Sequence, residues 1–275
     1  MRKGVIFLVP VPIGNLGDIT LRAIDTLKSV SLIACEDTRK TAFLLKHYEI
    51  PTPKLLSFHK FNERSREEQL FAHLEAGEDL VVVSDAGSPA ISDPAQTLVY
   101  EAIKRGIEVQ ALPGATALIP AFSVSGFPST AFQFLGFLPA KAKDRDEALK
   151  QIREYIYPTI IYESVHHLKA TLAELDAALS PRKIAIVREI SKLYEECIRG
   201  TISEILEDYD ITEKGEFVIV IEGAPEIQSS FPDETAFQLL ETHKHLKSKE
   251  LATIISEISK IGKNEAYAFV LEYRK

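Results

Sequence analysis

The chain has 275 residues, 45% of them hydrophobic, and a formal net charge of -8, with a mean hydropathy of -0.00. That length accommodates two α/β domains with separate cores, and the composition is that of a soluble globular protein. No apolar run approaches the roughly 20 residues that span a membrane, and the acidic balance argues against indiscriminate nucleic-acid binding, though not against RNA contact through a local basic patch.

Val5–Val9 predicts a first strand. The basic start of MRKGVIFLVPVPIGN is that of a secretory leader, but Pro10 and Pro12 interrupt the apolar run and no A-x-A-like site follows. After the sharp turn PVPIGNLGD, Asp18 is the expected cap of a helix carrying Leu21, Ile24 and Leu27. Leu32–Cys35 reads as a strand ending in EDTR, and Thr41–Tyr48 as a helix. Leu55, Leu56 and Phe58 form a third strand closing at HKFNE, with Asn62 capping a helix through Leu74 and Gly77 stopping it. Leu80–Val83 is apolar at four consecutive positions, the pattern of a strand buried on both faces. It stops at SDAGSP, a string of turn formers, and helical periodicity resumes at Leu98, Val99, Ala102 and Ile103. Ile107–Leu112 and the turn Pro113–Thr116 follow. The β-α alternation implies a parallel sheet with right-handed crossovers, whose strand-end loops gather on one edge. A small-residue loop at the carboxyl end of a buried strand is where open α/β sheets hold ligands.

A composition change across 121–130, small, aromatic and loop-like, separates a first domain (1–120) from a second (121–227). In the second, Gln133–Phe137 reads as a strand and Leu138–Arg145 as a basic loop bearing Lys141, Lys143 and Arg145. Further strands are Thr159–Tyr162, Ile184–Val187 and Phe217–Ile221, with helices over 165–179 and, after a Thr201…Glu204 capping box, over 202–209. A linker at 228–233 leads to a helical appendage, 233–275. There Leu251, Ile254, Ile255, Ile258 and Ile261 form an apolar stripe broken by Gly262. The pattern suggests either a helix-turn-helix using Lys244, Lys247, Lys249, Lys260 and Lys263 on phosphates or a cap that only packs.

Familiar signatures are missing: no G-x-x-x-x-G-K-[ST], no G-x-G-x-x-G, no G-x-S-x-G elbow, and no metal-ligand spacing. His166-His167 is an adjacent pair whose side chains diverge by about 100° on a helix, which suits a surface position. Cys35 and Cys197 form no framework and read as buried small residues in a reducing cytoplasm. What remains is a set of strand-end loops, PVPIGN, EDTR, FHKFNE, SDAGSP and LPGAT in the first half and YES and VRE in the second.

The strings VPVPIGNLGDIT, ACEDTRKT, SDAGSPAISDP, LPGATAL, GFLPAK, YESVHH and KGEFVIVIEG, in this order and over almost the whole chain, closely resemble the ribosomal RNA small-subunit methyltransferase I family of the tetrapyrrole-methylase superfamily. The resemblance implies S-adenosylmethionine (SAM) as methyl donor and 2′-O-methylation of a cytidine ribose in 16S rRNA. It also implies two α/β domains with SAM in the cleft between them, no metal, and a homodimer. On that reading SAM meets Pro12 and Gly14, the loop Asp85, Gly87, Ser88 and Pro89, then Ala115 and Thr116, and from the second domain Tyr162, Glu163 and Arg188. A sulfonium donor is already activated, so alignment is the main task, with a carboxylate or histidine accepting the hydroxyl proton. Asp37 is the first choice for that acceptor, with His59 and Glu36 as the other candidates. Arg39, Lys60 and Arg64 would hold phosphates, Asn62 the base or ribose, and Lys141, Lys143 and Arg145 would extend the RNA contact. Each competes with an ordinary salt bridge or helix cap. Other readings are a superfamily enzyme acting on a tetrapyrrole or a protein side chain, and a non-catalytic RNA-binding protein.

Overall fold

The computed structural model describes residues 2–59, 62–91, 95–209, 212, 214–225, 231–232, 234–259 and 261–274, without the side chains of Glu63 and Arg64. Lys60, Lys260 and the side chain of Arg64 therefore lie outside the described residues. The chain divides into two compact units, Met1–Ala224 and Pro225–Lys275.

The first unit begins with alternating strands and helices: β1 (Ile6–Leu8), α1 (Leu21–Ser29), β2 (Leu32–Cys35), α2 (Thr38–His47), β3 (Lys54–Ser57), α3 (Glu63–Glu75), β4 (Leu80–Val83), α4 (Ala95–Lys104), β5 (Val109–Ala111) and α5 (Leu118–Ser125). The five strands form one sheet in the order β3-β2-β4-β1-β5, parallel at every pairing. β4 is buried at all four positions because helices cover both faces. Leu80 and Val82 pack with Leu70, Phe71 and Leu74 of α3 and Leu98 of α4. Val81 and Val83 pack with Ala23 and Leu27 of α1 and Leu45 of α2.

The second half of the unit carries β6 (Gln133–Phe137), α6 (Ala142–Glu154), β7 (Thr159–Ser164), α7 (Leu168–Leu179), β8 (Lys183–Arg188), β9 (Glu196–Thr201), α8 (Ile202–Asp208) and β10 (Glu216–Ile221). This sheet is mixed, β6-β7-β10-β8-β9, with only β6 and β7 parallel. One face packs on α6, α7 and α8 through Ile152, Leu172 and Ile205; the other packs on α5 through Ala121 and Phe122. Thr201 and Glu204 form the reciprocal capping box expected at α8.

Several local expectations are corrected. Thr20, not Asp18, caps α1, its hydroxyl accepting from the Ala23 N–H at 3.0 Å; Asp18 instead accepts from the Ser191 hydroxyl. The stretch read as loop across 121–130 begins inside α5, whose serines hide in the helix by returning their hydroxyls to Ile119 and Phe122 carbonyls. The basic loop ends early, because α6 starts at Ala142 and places Lys143 and Arg145 on a helix. β9 was not anticipated: as an edge strand it buries little, and its sequence ECIRGT carries no apolar alternation. Cys35 is buried as expected, Cys197 only partly.

The second unit has α9 (Glu234–Thr242), α10 (Ser248–Ile258) and α11 (Lys263–Tyr273) around a small core of its own. Its buried face on α10 is Leu251, Ala252 and Ile255 rather than the five-residue stripe; Ile258 is exposed. α9 supplies Ala236 and Leu240 to that core and α11 supplies Ala266 and Val270, so α10 buries Ala252 beside Leu251 and Ile255 between two neighbours. Among the described residues no helix is long and apolar enough to cross a membrane.

Candidate active site

In the parallel sheet the chain leaving β1 leads to β2 beyond β4, while the chain leaving β4 leads to β5 beyond β1. Each connection passes over the other strand, with α1 on one face of the sheet and α4 on the other, and adjacent strands whose connections leave in opposite directions open a crevice at their carboxyl ends. Here the two loops are stitched together: the Val11 N–H donates to the Gly87 carbonyl at 3.0 Å and the Gly87 N–H to the Val11 carbonyl at 2.9 Å. The main-chain polar groups of Gly87 are thus spent on the fold. Gly87 sits at φ +77°, and a Cβ there would lie 3.3 Å from Ile13 Cγ2, so the glycine lets the loops close.

Two cavities adjoin at this edge. The narrower, of about 420 Å³, is lined by Gly87, Ser88, Thr116 and Ala117 from the parallel half and by Tyr162, Glu163, His166 and Phe217 from the mixed half. β7 and β10 run antiparallel, so the end of one and the start of the other meet: Tyr162 pairs with Val218, Glu163 with Phe217 and Ser164 with Glu216. Glu163 is 6% exposed, and its carboxylate accepts from the Thr171 hydroxyl at 2.6 Å and the Ser164 N–H at 2.7 Å. Arg145 in turn donates to Thr171 at 2.8 Å and to Glu174. Burial raises the Tyr162 phenol above its ordinary pKa, against the hydrogen bond to Thr116. Its ring makes edge contacts with Phe134 and Phe137 at 4.9 and 5.8 Å.

The wider cavity, of about 850 Å³, is lined by Pro12, Gly14, Asp37, Arg39, Lys40, Phe43 and Asp85 among others. Asp85 ties the ends of β2 and β4 together: its carboxylate accepts from the Asp37 N–H at 3.0 Å and Lys40 Nζ at 2.7 Å, while its own N–H donates to Glu36 Oε1 at 3.1 Å. Asp37 caps α2 and accepts from Arg39 through both the N–H and the guanidinium, at 2.7–3.0 Å. Those hydrogen bonds from Arg39 hold its carboxyl well below the usual carboxylate range, which makes it a weak proton acceptor. Lys40 is held in its charged form above its ordinary range by the hydrogen bond to Asp85.

The structure thus gathers Gly87, Ser88, Thr116, Tyr162 and Glu163 on the narrower cavity and Pro12, Gly14, Asp37, Arg39 and Asp85 on the wider one. Among the described residues, the other candidates line neither. The Ala115 carbonyl accepts from the Ser88 hydroxyl, and Pro89 follows in the same loop. Arg188 pairs with Glu196 at 3.0 Å. Asn62 closes the turn after β3, accepting from the His59 N–H at 2.8 Å and donating to the Ser57 carbonyl at 3.1 Å, with its amide 3.2 Å from His59 Nε2. Lys141 and Lys143 are exposed, whereas Arg145 is committed to Thr171 and Glu174.

Sequence reading missed Lys192 and Glu216, which line both cavities together with Ile13 and Ala86. Lys192 lies in the β8–β9 hairpin and Glu216 opens β10, positions that a search confined to the ends of parallel strands passes over. The available signal was the string KGE that leads into β10, Lys214-Gly215-Glu216.

Residues 5–206 match the family described as Tetrapyrrole (Corrin/Porphyrin) Methylases. A protein of Halalkalibacterium halodurans named "Ribosomal RNA small subunit methyltransferase I" is 44% identical over 89% of this chain and 84% of its own. One of the same name from Synechocystis sp. is 41% identical over 98% of each. Among solved structures, uroporphyrin-III C-methyltransferase from Thermus thermophilus, complexed with S-adenyl homocysteine, has the same fold. It superposes with a TM-score of 0.55 at 16% identity, covering 79% of this chain and 97% of that one.

Proposed function

Because this chain belongs to the tetrapyrrole (corrin/porphyrin) methylase family, we propose that it is a SAM-dependent methyltransferase whose acceptor is the 16S rRNA of the small ribosomal subunit. Its likeness to proteins named for that rRNA substrate supports the acceptor. Within the rRNA the reading assigns the 2′-hydroxyl of a cytidine. The observation that carries it is the pair of adjoining cavities with a common wall, one for the donor and one for the acceptor.

The narrower cavity suits SAM. Its volume of about 420 Å³ falls in the range of about 300–1,000 Å³ usual for small-molecule sites. A buried carboxylate, Glu163, faces a ligand whose sulfonium and ammonium are cationic. Gly87, Ser88, Thr116, Tyr162 and Glu163 would hold it; bound there, it supplies a methyl group on a sulfur that leaves as a neutral thioether. Asp85, Pro12 and Gly14 shape the acceptor side. Arg39 and Lys40, two cations on the wider cavity, suit the phosphates of RNA, which fix register rather than read sequence. Asp37 then serves to orient Arg39, and Glu36 to fasten the β4 loop. His59 and Asn62 shape the neighbouring turn. An unpaired, splayed nucleotide is the form such a cavity admits.

The same reading takes 1–120 and 121–227 as domains flanking the donor, 233–275 as an appendage, and the working protein as a cytoplasmic homodimer. The test is methylation of 16S rRNA and of small subunits with labelled SAM, followed by nuclease mapping. Label in a single ribose-methylated cytidine is expected. Label in a tetrapyrrole or a protein side chain, with none in the rRNA, overturns the acceptor assignment.

A further inference from the structure

Among the described residues, the wall common to both cavities contains one cation, Lys192, and it is held from several sides. Its ammonium donates to Glu189 Oε1 at 2.8 Å and to Glu216 Oε2 at 3.0 Å, and its side chain is 23% exposed. An ammonium has three donors, so two acceptors leave one for a ligand. Two glycines make room for this assembly. At Gly14, φ +130°, a Cβ would come within 2.4 Å of Lys192 Cε. At Gly215, φ +102°, a Cβ would come within 2.6 Å of Glu189 Cγ. Glu189 and Ser191 themselves adopt left-handed backbone conformations, φ 51° and 68°, that non-glycine residues seldom take. The Ser191 hydroxyl is anchored on Asp18 across the cleft. Strained conformations held by several independent contacts mark places where geometry serves function.

The charge states agree with that construction. Burial alone opposes the charge on Lys192, but the hydrogen bonds to Glu189 and Glu216 outweigh it and raise its pKa. The hydrogen bond from Lys192 in turn lowers that of Glu189. Lys192 is therefore a fixed positive charge, unable to accept a proton. Glu189 is 18% exposed and committed to holding it, accepting also from the Glu216 N–H at 3.0 Å. Glu216 differs: its side chain is 78% exposed, and it lines both cavities.

Resting on the methyltransferase reading above, we propose that Lys192 and Glu216 are the two groups that meet the reacting hydroxyl: the Lys192 ammonium holds the attacking oxygen, and the Glu216 carboxylate takes its proton. In the transfer an oxygen–carbon bond forms and the carbon–sulfur bond breaks with its electron pair left on sulfur. The hydroxyl proton goes to Glu216 and then to solvent. A cation at the oxygen offsets the negative charge that develops as the proton leaves, and it does so without reorganising, since Glu189 and the two glycines already fix it.

The test compares full-length wild type with Lys192→Met, Glu216→Gln and Glu189→Gln in single-turnover methylation of small subunits. Donor affinity is measured by calorimetry, rRNA affinity against salt, and folding by thermal melting. Lys192→Met is expected to slow transfer by about 10²–10³ and Glu216→Gln by about 10²–10⁴, with donor and rRNA affinities within about threefold of wild type. Glu189→Gln, which leaves both groups in place, is expected to have the smallest effect. Near-wild-type rates in Lys192→Met or Glu216→Gln overturn the proposal. So does a rate loss in Lys192→Met that is matched by lost rRNA affinity and a salt slope lower by about 1, which would make Lys192 a phosphate contact. Should Lys192→Met melt early, Glu216→Gln on the exposed side of the pair decides alone. Wild type that binds SAM yet methylates no small subunit defeats the underlying function instead, so the two failures are distinct.

Discussion

The two sheets of the first unit build the same site by different rules. In the parallel sheet every strand delivers its carboxyl end to one edge, so its cavity residues follow strands: Pro12 and Gly14 after β1, Asp37 after β2, Asp85 and Gly87 after β4. In the mixed sheet neighbours run in opposite directions. Its contribution combines the end of β7, the start of β10 and the hairpin after β8: Glu163, Glu216 and Lys192. A parallel sheet makes a site that can be read along the chain, whereas an antiparallel pairing brings together residues more than fifty positions apart, as with Glu163 and Phe217.

The largest way to break this arrangement is at the antiparallel seam. Phe217 is 2% exposed, packs in the mixed-sheet core and lines the narrower cavity. Phe217→Ala should cost about 3–5 kcal/mol of stability, checked by denaturant unfolding. Thr171→Val tests the buried end of the same seam. It removes the hydroxyl that donates to Glu163 and accepts from Arg145, and a buried acceptor left unsatisfied costs about 1–3 kcal/mol. Weaker SAM binding by calorimetry should accompany that loss, and an unchanged affinity would remove Glu163 from the donor site.

On the parallel side, Gly87→Ala places a side chain at φ +77° against Ile13, a strain of about 1–2 kcal/mol. Both stability and SAM affinity should fall. A valine there would also disturb the Val11 bridge, so it cannot separate binding from folding, and alanine is the sharper substitution. The smallest effect belongs to Asp37. Because its pKa is lowered by the Arg39 hydrogen bonds, its stabilising contribution is present above about pH 3.9, the unfolded value. That contribution is lost only as pH falls through the depressed folded value. Acceptor affinity through Arg39 should therefore stay flat between pH 5 and 8, and Asp37→Asn should slow single turnover by less than about tenfold. A larger loss, in the range of about 10²–10⁴ typical of a positioned base, would return the proton to Asp37.

What the chain's order of residues determined by itself was local and periodic. Four apolar residues from Leu80 to Val83, bounded by turn formers, read as a strand covered on both faces, and the β-α alternation before it implies a parallel sheet. The Thr201–Glu204 box is likewise complete within four residues. These features rest on interactions among near neighbours or on a period that repeats along the chain. What only the tertiary structure decided depended on partners far away. Asp18 has the chemistry of a helix cap, yet Thr20 caps the helix and Asp18 meets Ser191. Arg145 belongs to a run of basic residues, yet α7 supplies Thr171 and Glu174 to bind it. Lys192, with its neighbour Glu189, is one lysine among many until Gly14 and Glu216, from two separate stretches, converge on it. Charge and hydrogen bonding act over a few ångströms in space, and no spacing along the chain encodes which distant group will stand within that reach.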